Sequence, residues 1–381
     1  MSAQKSIVMM RRLFGALIGL ALCLLVAGCH TPKEPVNPAV VAAVDALPSL
    51  VDSCGIPVYQ YYFFSPQGDL HGVVCAQDTV FDIPQPIDEQ SIFQAASLSK
   101  PLFAYIVMRM VDRGEIDLDT PIAEYTDIDR FDDKEMARQL TPRIVLSHQT
   151  GLPNWAAGPS SDEWPTSRIV FKYPVDSCFA YSGEGYAFLQ RAVEAIQGEP
   201  LDAIARREVF EPFDMPTTSY AWLPEYDSIA VVGFNRDGEN RGQGRHPRAN
   251  CAYTLRTNAT EYARFVKQGL LEGKGLSEAA HKEMFTQQVH AQRYAYEPRA
   301  CDSSVFWCLG FGAVSESDTG RGDYYWHWGD NGNFKALWLL HPATKDGFVY
   351  FSNRATGHDL LDPFLKELTG NDLPLNDWIR N

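Results

Sequence analysis

Strand-forming segments lie near both ends of this 381-residue chain, and helix-forming segments fill the middle. Near the N-terminus, residues 56–64 and 72–74 are rich in β-formers and flank a turn-forming stretch, which predicts a β-hairpin. Near the C-terminus, four strand-like segments are separated by Gly, Asp and Asn turns: 305–314, 323–328, 334–340 and 347–351. We therefore predict an α+β fold whose antiparallel sheet is built from about residues 54–95 and 300–381.

The part between these strands, about residues 110–290, is predicted to be an inserted, mainly helical lobe flanking the sheet. Apolar residues at helical spacing predict helices at 40–51, 141–152, 187–196, 201–209, 260–271 and 359–368. The loop 151–167 carries Trp155 and Trp164, which either line a site or fill a gap. The glycine-rich, basic segment 236–248 is predicted to be a mobile loop.

A serine and a lysine three residues apart, Ser97 and Lys100, stand just before an apolar run with helical spacing. On a helix this pair shares one face, so the amine can contact the hydroxyl. A serine hydroxyl becomes a useful nucleophile when a neighbouring base takes its proton. Ser2 and Lys5 have the same spacing by accident, so an ordinary N-cap serine beside a solvated lysine is the alternative.

The first 28 residues have the features of a secretion signal. Three basic residues precede the apolar run 13–27, which is too short to span a bilayer comfortably. The run ends in Leu-Val-Ala-Gly-Cys, which resembles a bacterial lipobox and predicts lipidation of Cys29. An ordinary signal with an incidental cysteine is the alternative. Residues 29–39 contain three prolines and predict a stiff tether, so the protein would be anchored at the periplasmic face of the envelope.

Six cysteines remain beyond the signal and Cys29, and an even number in an exported chain predicts disulfides. Two of them flank the predicted hairpin, and two are close in sequence. The predicted pairs are Cys54–Cys75, Cys301–Cys308 and, by elimination, Cys178–Cys251.

The formal charge of −15 becomes −18 once residues 1–28, with three basic residues and no acid, are removed. A chain this acidic is unsuited to nucleic acid or anionic membrane surfaces, which need basic patches. Histidines and cysteines show no zinc-ligand spacing, so neither a metal nor another cofactor is predicted. The oligomeric state is left open.

Four motifs in order resemble the serine β-lactamase and penicillin-binding protein superfamily, and most closely its branch of class C β-lactamases, DD-peptidases and related esterases. They are Ser97-Leu98-Ser99-Lys100, Leu146-Ser147-His148-Gln149-Thr150-Gly151-Leu152, Tyr181-Ser182-Gly183 and His327-Trp328-Gly329. The likeness covers nearly all of the mature chain. It implies that residues 40–381 form one β-lactamase-related serine hydrolase domain acting on a small-molecule or peptide substrate.

The resemblance also implies roles for these residues. Ser97 would be the nucleophile that forms an acyl-enzyme, and Lys100 would help to deprotonate it. Tyr181 would carry a proton to the leaving group, with its pKa held down by Lys100 and a protonated His327. The backbone N–H groups of Ser97 and Asp330 would form an oxyanion hole. Gly329 would let its strand approach the substrate closely.

Two departures from the family pattern bear on the substrate. The usual substrate-orienting asparagine is Gly183 here, and the usual Lys-Thr-Gly is His327-Trp328-Gly329. Histidine titrates near neutrality, so activity would follow its titration and a strong clamp for a substrate carboxylate is not expected. This favours ester, amide or D-amino-acid peptide substrates, with β-lactams left open.

Two other functions compete with hydrolysis. A penicillin-binding sensor would keep the fold and acylate slowly or without turnover, and Gly183 and Trp328 support this alternative. A glycan-binding lipoprotein would use the tryptophans of the loop 151–167.

Overall fold

The computed structural model describes residues 35–76, 81–292, 304–315 and 323–380. The predicted signal peptide, Cys29 and most of the predicted tether lie outside these residues. Pro38 and Ala39, assigned to the tether from the sequence, belong instead to the first helix, which Asn37 caps by accepting a hydrogen bond from the Ala39 N–H. Within the described ranges, no helix combines the length and apolar character needed to cross a bilayer.

A large antiparallel sheet forms the centre of the described molecule. Its strands follow the order β2-β1-β10-β9-β8-β7-β6-β5. The bounds are Val58–Phe64 (β1), Asp69–Cys75 (β2), Val289–His290 (β5), Val305–Trp307 (β6), Gly312–Val314 (β7), Tyr324–Asp330 (β8), Lys335–His341 (β9) and Asp346–Ser352 (β10). Because β1 pairs directly with β10, with Tyr61 opposite Tyr350, the sheet is built from both ends of the chain, which confirms the predicted fold class.

The helices cover both faces of this sheet and fill the middle of the chain. Their bounds are Pro38–Ser53 (α1), Ser99–Asp112 (α2), Lys134–Ala137 (α3), Pro142–Leu146 (α4), Gly183–Gln197 (α5), Leu201–Ala205 (α6), Tyr226–Ile229 (α7), Ala259–Arg264 (α8), Glu278–Met284 (α9), Leu361–Thr369 (α10) and Leu375–Arg380 (α11). A separate short ladder joins β3 (Phe93–Gln94) to β4 (Arg256–Thr257).

Alternating side chains of the sheet belong to two hydrophobic cores. On β9, Trp338 and Leu340 pack against the helical lobe and α2, whereas Leu337 and Leu339 pack against α1, α10 and α11. This alternation follows from the two-residue repeat of a strand. It leaves α2, which begins two residues after Ser97, pressed against one face of the sheet.

Several predicted bounds differ from the structure. The helix predicted at 141–152 ends at Leu146, because His148 and Gly151 have positive φ angles of 59° and 70°, which a helix does not allow. The segment 236–248, predicted to be mobile, is docked onto the protein. The carbonyl of Gln243 accepts hydrogen bonds from Gln94 Nε2 at 3.0 Å and from Arg256 Nη2 at 3.1 Å.

The predicted Cys54–Cys75 disulfide is wrong. Both cysteines are free thiols. Cys54 follows the end of α1 and precedes β1, whereas Cys75 ends β2 opposite Val58 at the start of β1. The two cysteines therefore belong to different elements, and the hairpin that they flank is held by its own backbone pairing.

The predicted Cys178–Cys251 disulfide is also wrong, because both residues are free thiols. Cys251 is fully buried, and its Sγ donates to the carbonyl of Tyr186 at 3.3 Å. Burial raises the pKa of the Cys251 thiol well above its usual value. Cys178 lies half-exposed on a loop. Cys308 is likewise a free thiol, and its predicted partner, Cys301, lies outside the described residues.

Candidate active site

Ser97 lies where a single 3₁₀ turn, Ala96–Leu98, leads into α2. Lys100 Nζ is 3.1 Å from Ser97 Oγ, which confirms the contact predicted from their spacing. Ser97 is half-exposed, whereas Lys100 is only 1% exposed. The pair therefore presents a hydroxyl at the surface of a cleft with an amine directly behind it.

Lys100 is held in a dry environment. Its Nζ donates to the carbonyl of Ala252 at 2.7 Å and lies 4.7 Å from the ring centre of Tyr181. Among the described residues, no carboxylate forms an ion pair with this amine. Burial lowers the pKa of Lys100 to about 7, because desolvation penalises the charged form. A substantial fraction of the amine is therefore neutral at neutral pH and can accept a proton.

His148 fixes the position of Tyr181. The Ala180 N–H donates to the His148 carbonyl at 2.7 Å, and the Ser182 N–H donates to His148 Nδ1 at 3.1 Å. The rings of His148 and Tyr181 are 4.2 Å apart, centre to centre. Burial, with Lys100 as a further cause, lowers the pKa of His148 well below its usual value. His148 is thus a neutral acceptor that ties down both neighbours of Tyr181.

His327 faces the same cleft, but it is not the protonated residue expected from the sequence. The side chain is fully buried, and its Nδ1 donates to the carbonyl of Trp328 at 2.7 Å. The ring centre is 6.2 Å from that of Tyr181. Burial and the neighbouring Lys100 lower the pKa of His327 well below its usual value. The expectation of a cationic His327 is therefore wrong, because the site does not solvate a second positive charge.

Strand β8 runs close to the segment that leads to Ser97. A Cβ added at Gly329 would lie 2.4 Å from the carbonyl oxygen of Ala95, two residues before Ser97, so only glycine allows this approach. Pairing between β7 and β8 stops at Trp326, which leaves the edge beyond it without a β7 partner among the described residues. This geometry is compatible with the predicted oxyanion donors, the N–H groups of Ser97 and Asp330.

A hydrogen bond between Gln94 and Asn331 connects the segment before Ser97 with the end of β8. Asn331, which follows Asp330, donates from Nδ2 to Gln94 Oε1 at 2.7 Å and to the Tyr253 carbonyl at 3.2 Å. Gln94 lies three residues before Ser97 and is only 5% exposed. These contacts tie the end of β8 to the segment that precedes Ser97.

Gly183 begins α5, and the indole of Trp155 lies against it. A Cβ added at Gly183 would be 2.3 Å from the indole, so no larger residue fits while Trp155 keeps this position. Trp155 also packs edge-on against Tyr253 at 5.4 Å and Trp164 at 5.9 Å. The position that carries an asparagine in the family motif is therefore covered by an aromatic side chain from another loop.

Glu184 holds that loop in place. Its buried carboxylate accepts hydrogen bonds from the Ala156 N–H at 2.9 Å and from Trp164 Nε1 at 2.6 Å. Arg130 forms an ion pair with the other carboxylate oxygen at 3.3 Å and stacks on Trp164 at 5.0 Å. One carboxylate thus fixes both tryptophans of the loop relative to α5.

The structure brings Ser97, Lys100, Tyr181, His327 and Gly329 close together, at what is called the cleft here. Sequence reasoning missed three supporting residues: His148, Gln94 and Glu184. His148 lies within the second motif, and Glu184 directly follows the third, so their positions in the sequence could have indicated a role at the site. No cluster of His, Cys, Asp or Glu within the described ranges could hold a metal ion. The arrangement can activate a serine hydroxyl for attack on a carbonyl carbon.

Comparison with known proteins agrees with this geometry. The family profile named Beta-lactamase matches residues 68–369. Penicillin-binding protein 4 of Amycolatopsis lactamdurans is 31% identical over 161 residues, which cover 40% of this chain and 42% of that protein. The chain therefore spans less than half the length of this curated relative.

Solved structures resemble the fold over most of the chain. A D-stereospecific amidohydrolase from Streptomyces sp. has a TM-score of 0.69 at 16% identity and covers 87% of this chain and 99% of its own. A class C beta-lactamase has a TM-score of 0.70 at 14% identity and covers 90% and 98%. At this identity the likeness concerns the fold.

Proposed function

The chain belongs to the beta-lactamase family, whose members are serine hydrolases, and we propose that it hydrolyses an ester, an amide or a D-amino-acid peptide through an acyl-enzyme on Ser97. The observation that carries this proposal is the 3.1 Å contact between Ser97 Oγ and an amine whose pKa burial lowers to about 7. A neutral amine at this distance is a general base for the hydroxyl.

In the proposed reaction, neutral Lys100 takes the Ser97 proton while Oγ bonds to the substrate carbonyl carbon. The N–H groups of Ser97 and Asp330 stabilise the resulting oxyanion. Tyr181 then relays this proton from Lys100 to the leaving group as the bond between the leaving group and the acyl carbon breaks. Water then attacks the acyl carbon and gives a proton to the neutral base, which passes it to Ser97 Oγ as the acyl–oxygen bond breaks and a carboxylic acid is released.

Replacement of Ser97 tests the proposal. Ser97→Ala should abolish turnover of a chromogenic p-nitrophenyl ester and labelling by a fluorophosphonate, because it removes the nucleophile. Ser99→Ala is a neighbouring control that should keep turnover and labelling. The Ser99 hydroxyl is fully buried and bonds only to backbone groups of Ala96 and Leu255 among the described residues. Turnover that persists in Ser97→Ala would remove Ser97 from the mechanism.

A sensor that acylates without turnover is the second candidate, favoured by the indole that covers Gly183. The covering side chain narrows the space in which a deacylating water would act. A stable adduct on Ser97 with no release of acid after the first equivalent of p-nitrophenol would select this function, and steady turnover would exclude it.

We further propose that Cys29 carries a lipid that anchors the protein at the periplasmic face of the envelope, as its lipobox-like sequence suggests. Expression in a bacterium fed an alkyne-tagged fatty acid should label the full-length protein, and Cys29→Ser should lose the label. Cys75→Ser, which changes an exposed thiol, should keep it. Equal labelling of Cys29→Ser and the unmodified chain would contradict the anchor.

A further inference from the structure

We propose that Trp155 is a specificity-determining residue that selects substrates with an uncharged, aromatic or bulky apolar acyl group. The proposal rests on the acyl-transfer function above and adds the class of substrate. Its basis is the wall formed by Trp155, Gly183 and Tyr253.

The Trp155 side chain that forms this wall is held in place by its neighbours. Trp155 is half-buried and is clamped between the first turn of α5 and the ring of Tyr253. Tyr253 directly follows Ala252, whose carbonyl accepts a hydrogen bond from Lys100. The indole therefore packs on the residue that follows the carbonyl partner of Lys100.

The first turn of α5 has no N–H left over at Gly183 or Glu184 for an anionic substrate group. The Gly183 N–H donates to Asn154 Oδ1 at 2.9 Å, and the Glu184 N–H donates to the Asn154 carbonyl at 3.0 Å. Ser182 Oγ accepts from the Gly185 N–H at 3.0 Å. A helix N-terminus normally attracts negative charge, but here its donors are already satisfied.

The four Arg and Lys side chains of residues 245–256 and of β9 already have polar partners. Arg245 pairs with Asp227 at 2.7 Å, Arg248 with Asp162 at 3.6 Å, and Lys335 with Asp330. Arg256 is buried, and its Nη2 donates to the carbonyls of Gln243 and Gly244. His327, which replaces the family lysine, is buried and neutral, and burial lowers the pKa of His246 to about 4. A substrate carboxylate would therefore lose its hydration at this wall and gain no counter-ion.

We expect the wall to contact the acyl group of the substrate rather than its leaving group. The acyl group stays on Ser97 through both half-reactions, whereas the leaving group must give way to water. A closed aromatic wall can hold the acyl group and exclude water from it, while the side that admits water has to stay open.

The test compares p-nitrophenyl esters with a common leaving group. In the unmodified protein, kcat/KM for the phenylacetate should exceed that for the acetate by at least about tenfold, which is the usual discrimination supplied by an apolar pocket. The butyrate should exceed the hemisuccinate, which matches it in length but carries a carboxylate, by at least about tenfold. Trp155→Ala should lower the phenylacetate-to-acetate ratio by about tenfold.

Three further variants separate the effect of the indole from general effects of substitution. Trp155→Phe should retain most of the ratio, and Gly183→Ala, which displaces the indole without removing it, should lower it. Val170→Ala, at a side chain 54% exposed, is the control and should leave it unchanged. A preference for the hemisuccinate, or a ratio unaltered in both Trp155→Ala and Gly183→Ala, would overturn the proposal. Ester turnover that survives Ser97→Ala, or none at all, would instead contradict the proposed function on which it rests.

Discussion

Burial decides the chemistry of Lys100. The amine has a hydroxyl and a backbone carbonyl as hydrogen-bond partners, and neither neutralises a positive charge. Desolvation therefore dominates, and the pKa falls from 10.5 to about 7. The same dry surroundings lower the pKa values of His148 and His327, so the site favours neutral bases over cations.

This environment predicts the pH dependence of catalysis. Below pH 7 Lys100 is protonated and cannot accept the Ser97 proton, so kcat/KM should rise as pH increases and level off above about pH 7. Stopped-time assays of p-nitrophenyl ester hydrolysis from pH 5 to pH 9 measure this rise of kcat/KM with pH. Lys100→Arg should reduce the rate by about 10²–10⁴-fold, because a guanidinium stays protonated.

His327→Gln provides the discriminating control. Burial lowers the pKa of His327 well below its usual value, so removal of the imidazole should leave the rising part of the pH profile and its midpoint in place, even if the maximal rate falls. If the rise of kcat/KM with pH disappears in His327→Gln, the titrating group is the histidine, which would contradict the role of Lys100 as the base.

At the scale of elements, the first turn of α5 and the tryptophan loop act as one unit. Asn154, Ala156 and Trp164 all bond to Ser182–Glu184, and the loop therefore cannot shift without breaking bonds to buried groups. Glu184 is the central member, since its fully buried carboxylate pairs with Arg130.

Glu184→Gln should destabilise this unit. The amide keeps the shape of the carboxylate but leaves the Arg130 guanidinium without its counter-ion, so the free energy of unfolding should fall by on the order of 3 kcal/mol. Urea denaturation followed by tryptophan fluorescence measures the loss. Glu163→Gln, an exposed change in the same loop, should stay within about 0.5 kcal/mol of the unmodified protein. Equal stability of the two variants would refute the central role of Glu184.

Sequence patterns predicted the parts of the fold that depend on local periodicity. The hairpin β1–β2, the strand-rich C-terminal part and the contact of Ser97 with Lys100 follow from alternation, turn residues and helical spacing. The positive φ of His148 accompanies bonds to the Tyr181 segment, including one to Ser182, 34 residues away, and has no local signal. The protonation state of His327 likewise depends on burial, which the residue type does not reveal.

At the scale of the whole molecule, contacts between distant segments assemble the cleft. The C-terminal helix α11, which the sequence did not predict, buries Trp378 against Trp328, and Trp328 packs 5.0 Å from the ring of Tyr181. The N-terminal strand β1 closes the same sheet beside β10. Both ends of the described chain thus support the centre, and the disulfides predicted between Cys54 and Cys75 and between Cys178 and Cys251 are not needed for it.

The central claim is that Ser97 forms a covalent acyl-enzyme within this cleft. Its most direct test is acid quenching of the protein during p-nitrophenyl phenylacetate turnover, followed by intact-mass measurement and peptide mapping. We predict one phenylacetyl adduct, located on the peptide that contains Ser97 and absent from Ser97→Ala. An adduct on another residue, or turnover without any adduct on Ser97 at early quench times, would contradict the claim.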